Sequence, residues 1–165
     1  MSFVLESRPR RPLLACVLAG FIAGSLDLLY VFVFHGVRGV NPGRILQYIA
    51  SGLQGPAAFQ GGAASAALGA AAHYFILIVA AGMYLAASRR WQWLVREAAM
   101  AGVLFGTAIY VVMRFVVVPL SAVTVGTSTT LAQVTNFLMH LFVIGPAIAL
   151  ALRHWAWRRA AERLQ

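Results

Sequence analysis

Four apolar stretches, each long enough to cross a lipid bilayer, constrain this chain more than any other feature of its sequence. They cover residues 13–34, 66–87, 98–118 and 131–152, and each contains at most one formally charged side chain. About 20 residues of helix cross the roughly 30 Å hydrocarbon core of a bilayer. Within hydrocarbon every backbone N–H and C=O must be paired inside its own segment, so these stretches are helices and not strands. The sequence predicts an all-α polytopic membrane protein whose residues 1–165 form a single transmembrane domain.

The composition excludes a water-soluble domain. Hydrophobic residues make up 61% of the chain and charged residues 10%, whereas a soluble domain is typically about 45–50% apolar and about 25% charged. The net charge is +9, and all 13 basic residues are arginines. Nucleic acid is not the expected partner of this charge, because leucine, valine, alanine and phenylalanine separate the arginines where a polar scaffold would be needed. The single cysteine, Cys16, excludes a disulfide framework and a CxxC metal site.

The distribution of arginines predicts the orientation of the chain in the membrane. Positively charged residues in short loops favour the cytoplasmic side, and tryptophans gather at the membrane–water interface. The N-terminal flank, the second loop and the C-terminal tail hold Arg8, Arg10, Arg11, Arg89, Arg90, Arg96, Arg153, Arg158, Arg159 and Arg163, together with Trp91, Trp93, Trp155 and Trp157. The first loop holds only Arg38 and Arg44, and the third loop holds none. We therefore expect both termini on the cytoplasmic side of a bacterial inner membrane, in contact with anionic headgroups.

The first loop is long enough to contain a helix of its own. Asn41-Pro42 is a helix start signal, a cap followed by a first-turn proline. Over residues 43–54 the apolar side chains share one face and the polar side chains share the other. This pattern predicts a short amphipathic interfacial helix in the first extracytoplasmic loop, which lies on the membrane surface or folds in as a lid.

Each span contributes one ionisable residue to a layer in the outer half of the bundle. At 1.5 Å per residue, each of the four lies about 20–27 Å from the cytoplasmic end of its span. Such residues are unfavourable in hydrocarbon and normally face the interior of a bundle, and small residues mark the faces on which helices pack closely. The layer consists of Asp27, His73, Arg114 and His140, with Gln133 and Asn136 as supporting polar residues and Gly20, Gly24, Gly69, Gly102 and Gly106 as helix-packing residues. On the fourth span, Thr129, Gln133, Asn136 and His140 form one polar stripe that we expect to face inward.

Four interpretations of this layer remain open. In the structural one, Asp27 pairs with Arg114 or a histidine and the network fixes helix registry. In the second, Asp27 and the histidines form a pathway for protons or a small solute, with Gly145-Pro146 breaking the fourth helix. In the third, His73 and His140 are axial ligands of a haem, although their spacing fits no metal motif. The fourth, membrane-embedded catalysis, lacks a nucleophile–base pair.

These interpretations lead to three functional hypotheses. The leading one is a non-enzymatic structural or accessory membrane protein, which binds a second copy of itself or a membrane-complex partner through its small-residue faces. The first alternative is a small transporter or proton-handling protein that uses the intramembrane layer. The second is a haem-binding membrane electron carrier. We expect no catalytic residue, no required cofactor and no metal site, with His73 and His140 as weak candidate ligands.

Two pairs of motifs indicate that the chain contains two related helical hairpins. The second and fourth spans end in A-x-R-x-W-x-W, at residues 87–93 and 151–157, and the first and third begin with A-G-x-x-x-G followed by serine or threonine, at residues 19–25 and 101–107. Duplicated hairpins of the same orientation would be related by an axis along the membrane normal. The competing interpretation is chance, because arginine and tryptophan gather at any cytoplasmic interface and glycine at any tight helix contact.

Several stretches between the first helix and the third loop carry a family likeness. The most specific is I-L-Q-x-I-A-S-G-L at residues 45–53, and the others are Leu26-Asp27, A-F-Q-G-G at 58–62, L-G-A at 68–70 ahead of His73, A-S-R-R at 87–90, Val112-Met113 and V-V-P-L-S at 117–121. Together they resemble a family of small uncharacterised bacterial inner-membrane proteins, the YagU-like group. The resemblance implies a four-helix membrane protein of the same topology, and it implies no activity and no ligand residue. The family more often has a neutral polar residue at the position of Arg114, which argues against an obligatory pair between Asp27 and Arg114.

Overall fold

In the part of the chain that the structure describes, six α-helices build the fold, and four of them are long and apolar enough to cross a membrane. The computed structural model describes residues 11–123 and 129–162, with side chains described as far as Trp157. The helices are α1 (Pro12–Gly36), α2 (Pro42–Gln54), α3 (Gly62–Ser88), α4 (Trp93–Arg96), α5 (Ala98–Leu120) and α6 (Thr130–Trp157), and the helical backbone of α6 continues to Glu162. A 3₁₀ helix at Gly55–Gln60 joins α2 to α3. The predicted all-α, four-span fold class is confirmed.

Local capping signals explain where two of the helices begin. The side chain of Asn41 accepts a hydrogen bond from the Gly43 backbone N–H at 2.8 Å, and Pro42 occupies the first turn, where a backbone N–H is not needed. At the start of α6, Thr129 Oγ1 accepts from the Ala132 N–H at 3.2 Å. The helix of the first loop therefore begins where the Asn41-Pro42 signal predicts it.

Glycines bring the spanning helices into backbone contact. A Cβ atom added to Gly20 of α1 would lie 2.6 Å from the backbone of Ile78 on α3. On α5, a Cβ atom would lie 2.6 Å from the backbone of Pro146 if added to Gly102, and 1.9 Å from the His140 carbonyl oxygen if added to Gly106. The glycine motif of the first helix in each hairpin thus packs against the second helix, as we expect of two related hairpins. The faces of α1 and α5 that carry these glycines are therefore in contact with other helices of the same chain.

The four spanning helices are arranged so that α1 and α6 form the centre. α1 packs against α3 on one side and against α6 on the other, whereas α5 packs mainly against α6.

The two ends of the bundle differ in the residues that they hold. We call the end with α2 and the start of α3 the loop end, and the end with Ser88, α4 and Arg153 the arginine end. At the arginine end, the Trp157 Nε1–H donates to Ser88 Oγ at 3.0 Å and ties α6 to α3.

A π-helical turn precedes the proline inside each of two spanning helices. In α5 the turn covers Met113–Val117 and is followed by Pro119, and in α6 it covers His140–Ile144 and is followed by Pro146. At each turn the residue before the proline donates its N–H to the carbonyl five residues back. The wider turn leaves room for the proline ring, which would clash with the carbonyl four residues back in a regular α-helix. The prediction that Gly145-Pro146 breaks the fourth helix is wrong, because the helix continues through the π turn.

The helix of the first loop, α2, packs against the beginning of α3. A Cβ atom added to Gly69 would lie 1.9 Å from the carbonyl oxygen of Leu46 on α2. Close by, Ser65 Oγ donates a hydrogen bond to Gln54 Oε1 at 2.6 Å. α3 starts four residues before the predicted span, and these added residues offer α2 a surface on which to pack.

Candidate functional site

The contact between α1 and α3 brings two ionisable side chains together inside the bundle. Asp27 Oδ2 lies 3.9 Å from His73 Nε2, and the two side chains are 13% and 9% exposed. His73 Nε2 also lies 3.1 Å from the carbonyl oxygen of Gly24, one turn before Asp27 on α1. A carbonyl oxygen only accepts, so Nε2 carries the proton in this bond. The imidazole thus directs an N–H toward α1, with the Asp27 carboxylate beside it.

Gly24 makes this approach possible. A Cβ atom added to Gly24 would lie 2.8 Å from Tyr74 Cδ1 and 3.5 Å from His73 Nε2. The absence of a side chain therefore lets the α3 residues reach the α1 backbone. Next to the pair, Ser25 Oγ and the Tyr74 hydroxyl are hydrogen-bonded at 3.1 Å. The sequence predicts a packing role for Gly24 but none for Ser25 and Tyr74, although each directly follows a predicted site residue.

One oxygen of Asp27 has no partner. Asp27 Oδ1 is buried and makes no hydrogen bond to any described residue. His73 Nδ1, the other ring nitrogen of the partner, likewise makes no hydrogen bond to the residues that the structure describes. Buried polar atoms are normally satisfied, and an exception calls for a physical explanation such as a bound ligand or proton. The pair therefore retains an acceptor on α1 and a ring nitrogen on α3 that the fold itself does not use.

Arg114 and His140 do not join this pair. Arg114 is exposed in the π turn of α5, with its guanidinium 5.8 Å from the centroid of the Phe115 ring. Of the two partners that the structural interpretation allows for Asp27, the structure shows the histidine and not Arg114. The physical reason is the arrangement of the helices, because α1 packs against α3 and α6 while α5 packs mainly against α6.

His140 lies in a different environment. Its Nδ1 is 3.0 Å from the carbonyl oxygen of Asn136, on the same helix, and its ring packs edge-on against Tyr110 at 5.8 Å between centroids. No hydrogen bond or ion pair within residues 11–123 and 129–157 connects it to the Asp27–His73 pair. The predicted layer of four ionisable residues thus separates into one pair and two single residues.

The polar stripe of the fourth span faces inward only in part. Asn136 and His140 are half-buried, whereas Thr129 and Gln133 are exposed. Thr135, outside the predicted stripe, crosses to a neighbouring helix, and its Oγ1 lies 2.7 Å from the Tyr30 hydroxyl on α1. The predicted polar stripe does not include Thr135, because this residue lies about a quarter turn away from Asn136 around the helix.

The pair does not form part of a metal cluster in the described part of the chain. No group of three or more histidine, cysteine, aspartate or glutamate side chains gathers there. His73 and His140, the weak candidate ligands, each direct one ring nitrogen at a backbone carbonyl, of Gly24 and of Asn136. The donor set is one carboxylate and one imidazole, which suits the transfer of a proton better than the coordination of a metal.

At the loop end, α2 lies next to the pair. Gly69, which contacts α2, is one helical turn from His73 and lies on the same buried face of α3. On the opposite side, the same face continues to Leu77, which is buried in the core of the bundle. α2 therefore covers the face of α3 one helical turn away from His73, at the loop end.

The structure defines the chain as a multi-pass helical membrane protein with a buried carboxylate–imidazole pair between two of its spans. The chain matches no protein-family profile, no curated protein and no solved structure. The Asp27–His73 pair and the residues around it are therefore the features that indicate a function.

Proposed function

We propose that this protein is a proton-handling membrane protein, a small transporter or relay in which Asp27 and His73 exchange a proton. The observation that carries the proposal is the buried Asp27 Oδ1, which lacks a hydrogen-bond partner among the described residues beside an imidazole. A pair that serves only helix registry gains most when both oxygens are satisfied, since an unpaired buried polar atom costs about 1–3 kcal/mol. Aspartate and histidine are also the usual relay groups inside membranes.

The distance between the two side chains sets what a transfer requires. A proton passes between groups about 2.6–3.2 Å apart, and Asp27 Oδ2 is 3.9 Å from His73 Nε2. A closing movement of roughly 1 Å therefore brings the two groups into range. Protonation of His73 at Nδ1 comes first and gives the imidazolium. The Nε2–H bond of His73 then breaks, an O–H bond forms on Asp27, and both side chains become neutral, with the remaining proton of His73 on Nδ1.

The accessory-protein hypothesis is less well supported. It relies on small-residue faces that bind a partner, and the packing glycines of α1 and α5 contact α3 and α6 of the same chain. The haem hypothesis gains no observation either, because no contact within the described residues brings His73 and His140 together, and His140 instead packs on Tyr110 and bonds its own helix. The absorbance spectrum of the purified protein between 380 and 430 nm, roughly the Soret region, tests that hypothesis directly.

Proton flux in liposomes tests the proposal. Purified protein is reconstituted with a trapped pH-sensitive dye, and a potassium diffusion potential drives proton entry. We expect Asp27→Asn and His73→Gln to reduce the wild-type rate to that of empty liposomes. His140→Gln is the matched control, because His140 bonds only the backbone of its own helix and packs on Tyr110, and it should retain the wild-type rate. A wild-type rate equal to that of empty liposomes, or an Asp27→Asn rate equal to wild type, overturns the proposal.

We also propose that the chain resides in a bacterial inner membrane with both ends in the cytoplasm and that it is related to the YagU-like group. The excess of arginines at the arginine end supports this orientation. A reporter that is active only outside the cytoplasm, fused after Gln165, should be silent, and the same reporter inserted after Gly39, in the turn between α1 and α2, should be active. The opposite pattern would reverse the orientation.

A further inference from the structure

Several arginines at the arginine end form no hydrogen bond or ion pair with the side chains that the structure describes. Arg89, Arg90 and Arg96 are exposed, and their side chains make no hydrogen bond or ion pair with any described residue. Arg153 is half-buried and donates from Nη1 to the backbone carbonyl of Arg96 at 3.4 Å, which places two of the guanidinium-bearing residues side by side. We call Arg89, Arg90, Arg96 and Arg153 the arginine cluster. Glu97 is exposed next to it and forms no ion pair within the described residues.

The arginines of the first loop behave differently. The guanidinium carbons of Arg38 and Arg44 lie 4.0 and 4.1 Å from the centroids of Phe34 and Phe59. Arg38 also donates to the Phe34 carbonyl, and Arg44 donates to the Phe59 carbonyl at 3.3 Å. A guanidinium stacked on a ring and bonded to a carbonyl has part of its binding capacity satisfied within the chain. The arginines of the first loop thus contact aromatic rings and carbonyl oxygens of the protein. The exposed arginines at the other end of the bundle make no such bond with the described residues.

Exposed indole rings surround the arginine cluster. Trp91, Trp93 and Trp155 are 61%, 43% and 39% exposed, although each is a large apolar side chain. Tryptophans in this position lie at the headgroup level of a bilayer. Trp157, which the sequence pattern groups with them, is 6% exposed and instead bonds Ser88 inside the bundle. The three exposed rings place the guanidinium groups at the depth of lipid phosphates.

We propose that the arginine cluster is a binding site for the headgroups of anionic phospholipids. A guanidinium offers planar paired donors that match phosphate oxygens, and these four groups exceed the one carboxylate, that of Glu97, that the described side chains place beside them. The indole rings select lipid over free phosphate as the occupant, because they hold the cluster at the membrane surface. The partner is therefore a lipid with net negative charge, bound at this end and not at the loop end.

Lipid binding to charge-matched variants tests this proposal. The full-length protein in neutral detergent is titrated with phosphatidylglycerol or phosphatidylcholine, and retained lipids are counted by native mass spectrometry. We expect wild type to bind phosphatidylglycerol at least about tenfold more tightly than phosphatidylcholine. The double variant R90Q/R96Q should lose that preference, whereas R38Q/R44Q, which removes the same charge at the loop end, should keep it.

Four outcomes would overturn the proposal. The first is an equal loss of preference in the two double variants, which would show that net charge alone decides. The second is a wild-type protein that does not distinguish the two lipids. The third is inorganic phosphate that displaces phosphatidylglycerol from wild type at millimolar concentration, which would show that the ligand is free phosphate. Thermal unfolding of each variant without added lipid checks that R90Q/R96Q is folded, and retained preference in a folded R90Q/R96Q protein counts against the site as well.

Discussion

The contact at Gly69 supports a quantitative prediction. In Gly69→Ala the new Cβ atom would lie 1.9 Å from the Leu46 carbonyl oxygen, and ordinary contact begins at 3.4 Å, so α2 must withdraw by about 1.5 Å. Gly82 is on the same helix, and a Cβ atom added there would meet nothing within 4 Å, so Gly82→Ala is the matched control. Both substitutions gain up to about 1 kcal/mol of helix propensity, which cancels in the comparison.

The difference between the two variants therefore measures the clash. Overpacking costs about 1–3 kcal/mol, and we expect the upper half of that range because the opposing atom is a backbone oxygen that cannot rotate away. For a chain of this length, each kcal/mol shifts Tm by about 2–4 °C. Gly69→Ala should consequently unfold about 4–12 °C below Gly82→Ala.

The assay is thermal unfolding in a mild detergent, read by the loss of the monodisperse peak in size-exclusion chromatography. Gln54→Ala provides an independent check, since it removes the hydrogen bond to Ser65 without adding an atom and should also loosen α2. If Gly69→Ala unfolds at or above the temperature of Gly82→Ala, α2 does not pack on α3 as described.

Further contacts lead to three more predictions. Gly106→Ala should destabilise the bundle by about 1–3 kcal/mol, because its Cβ atom would lie 1.9 Å from a carbonyl oxygen of α6; a Tm equal to or above wild type contradicts this. Ser88→Ala should cost about 1–3 kcal/mol, since the buried Trp157 N–H loses its acceptor, and Trp157→Phe in the same background should recover most of the loss of Tm. Tyr30→Phe and Thr135→Val remove the 2.7 Å bond between α1 and α6, and a double-mutant cycle should give a coupling of about 0.6 kcal/mol; additive effects would show that the bond does not form in detergent.

The sequence predicts the spans of this fold well and the contacts between them poorly. The spans follow from composition, because hydrocarbon admits only long apolar helices. That Asp27 and His73 face inward also follows, since each shares a helical face with glycines that pack. The choice of His73 over Arg114 as the partner of Asp27 does not follow, because it depends on whether α1 lies beside α3 or α5, which is a tertiary contact.

The apolar spans do not predict two further features. α3 begins at Gly62, ahead of the predicted apolar span, and the span could not show this because alanine-rich sequence forms a helix without being strongly apolar. The pairing of Ser25 with Tyr74 could not be predicted, because hydroxyl groups are common in membrane helices and only the helix crossing brings these two together. Residues 124–128 of the third loop, part of the stretch in which no arginine occurs, lie outside the described residues.

The π turns have a consequence for changes in chain length. A π turn holds one residue more than an α-helical turn, so a helix can lose that residue there and return to regular geometry. Elsewhere in a spanning helix, a deletion rotates all the residues beyond it by about 100° and moves the packing glycines off their partners. The segments Met113–Val117 and His140–Ile144, each with the proline after it replaced, are therefore the two points inside the described spans where this protein can become one residue shorter and keep its helix faces aligned.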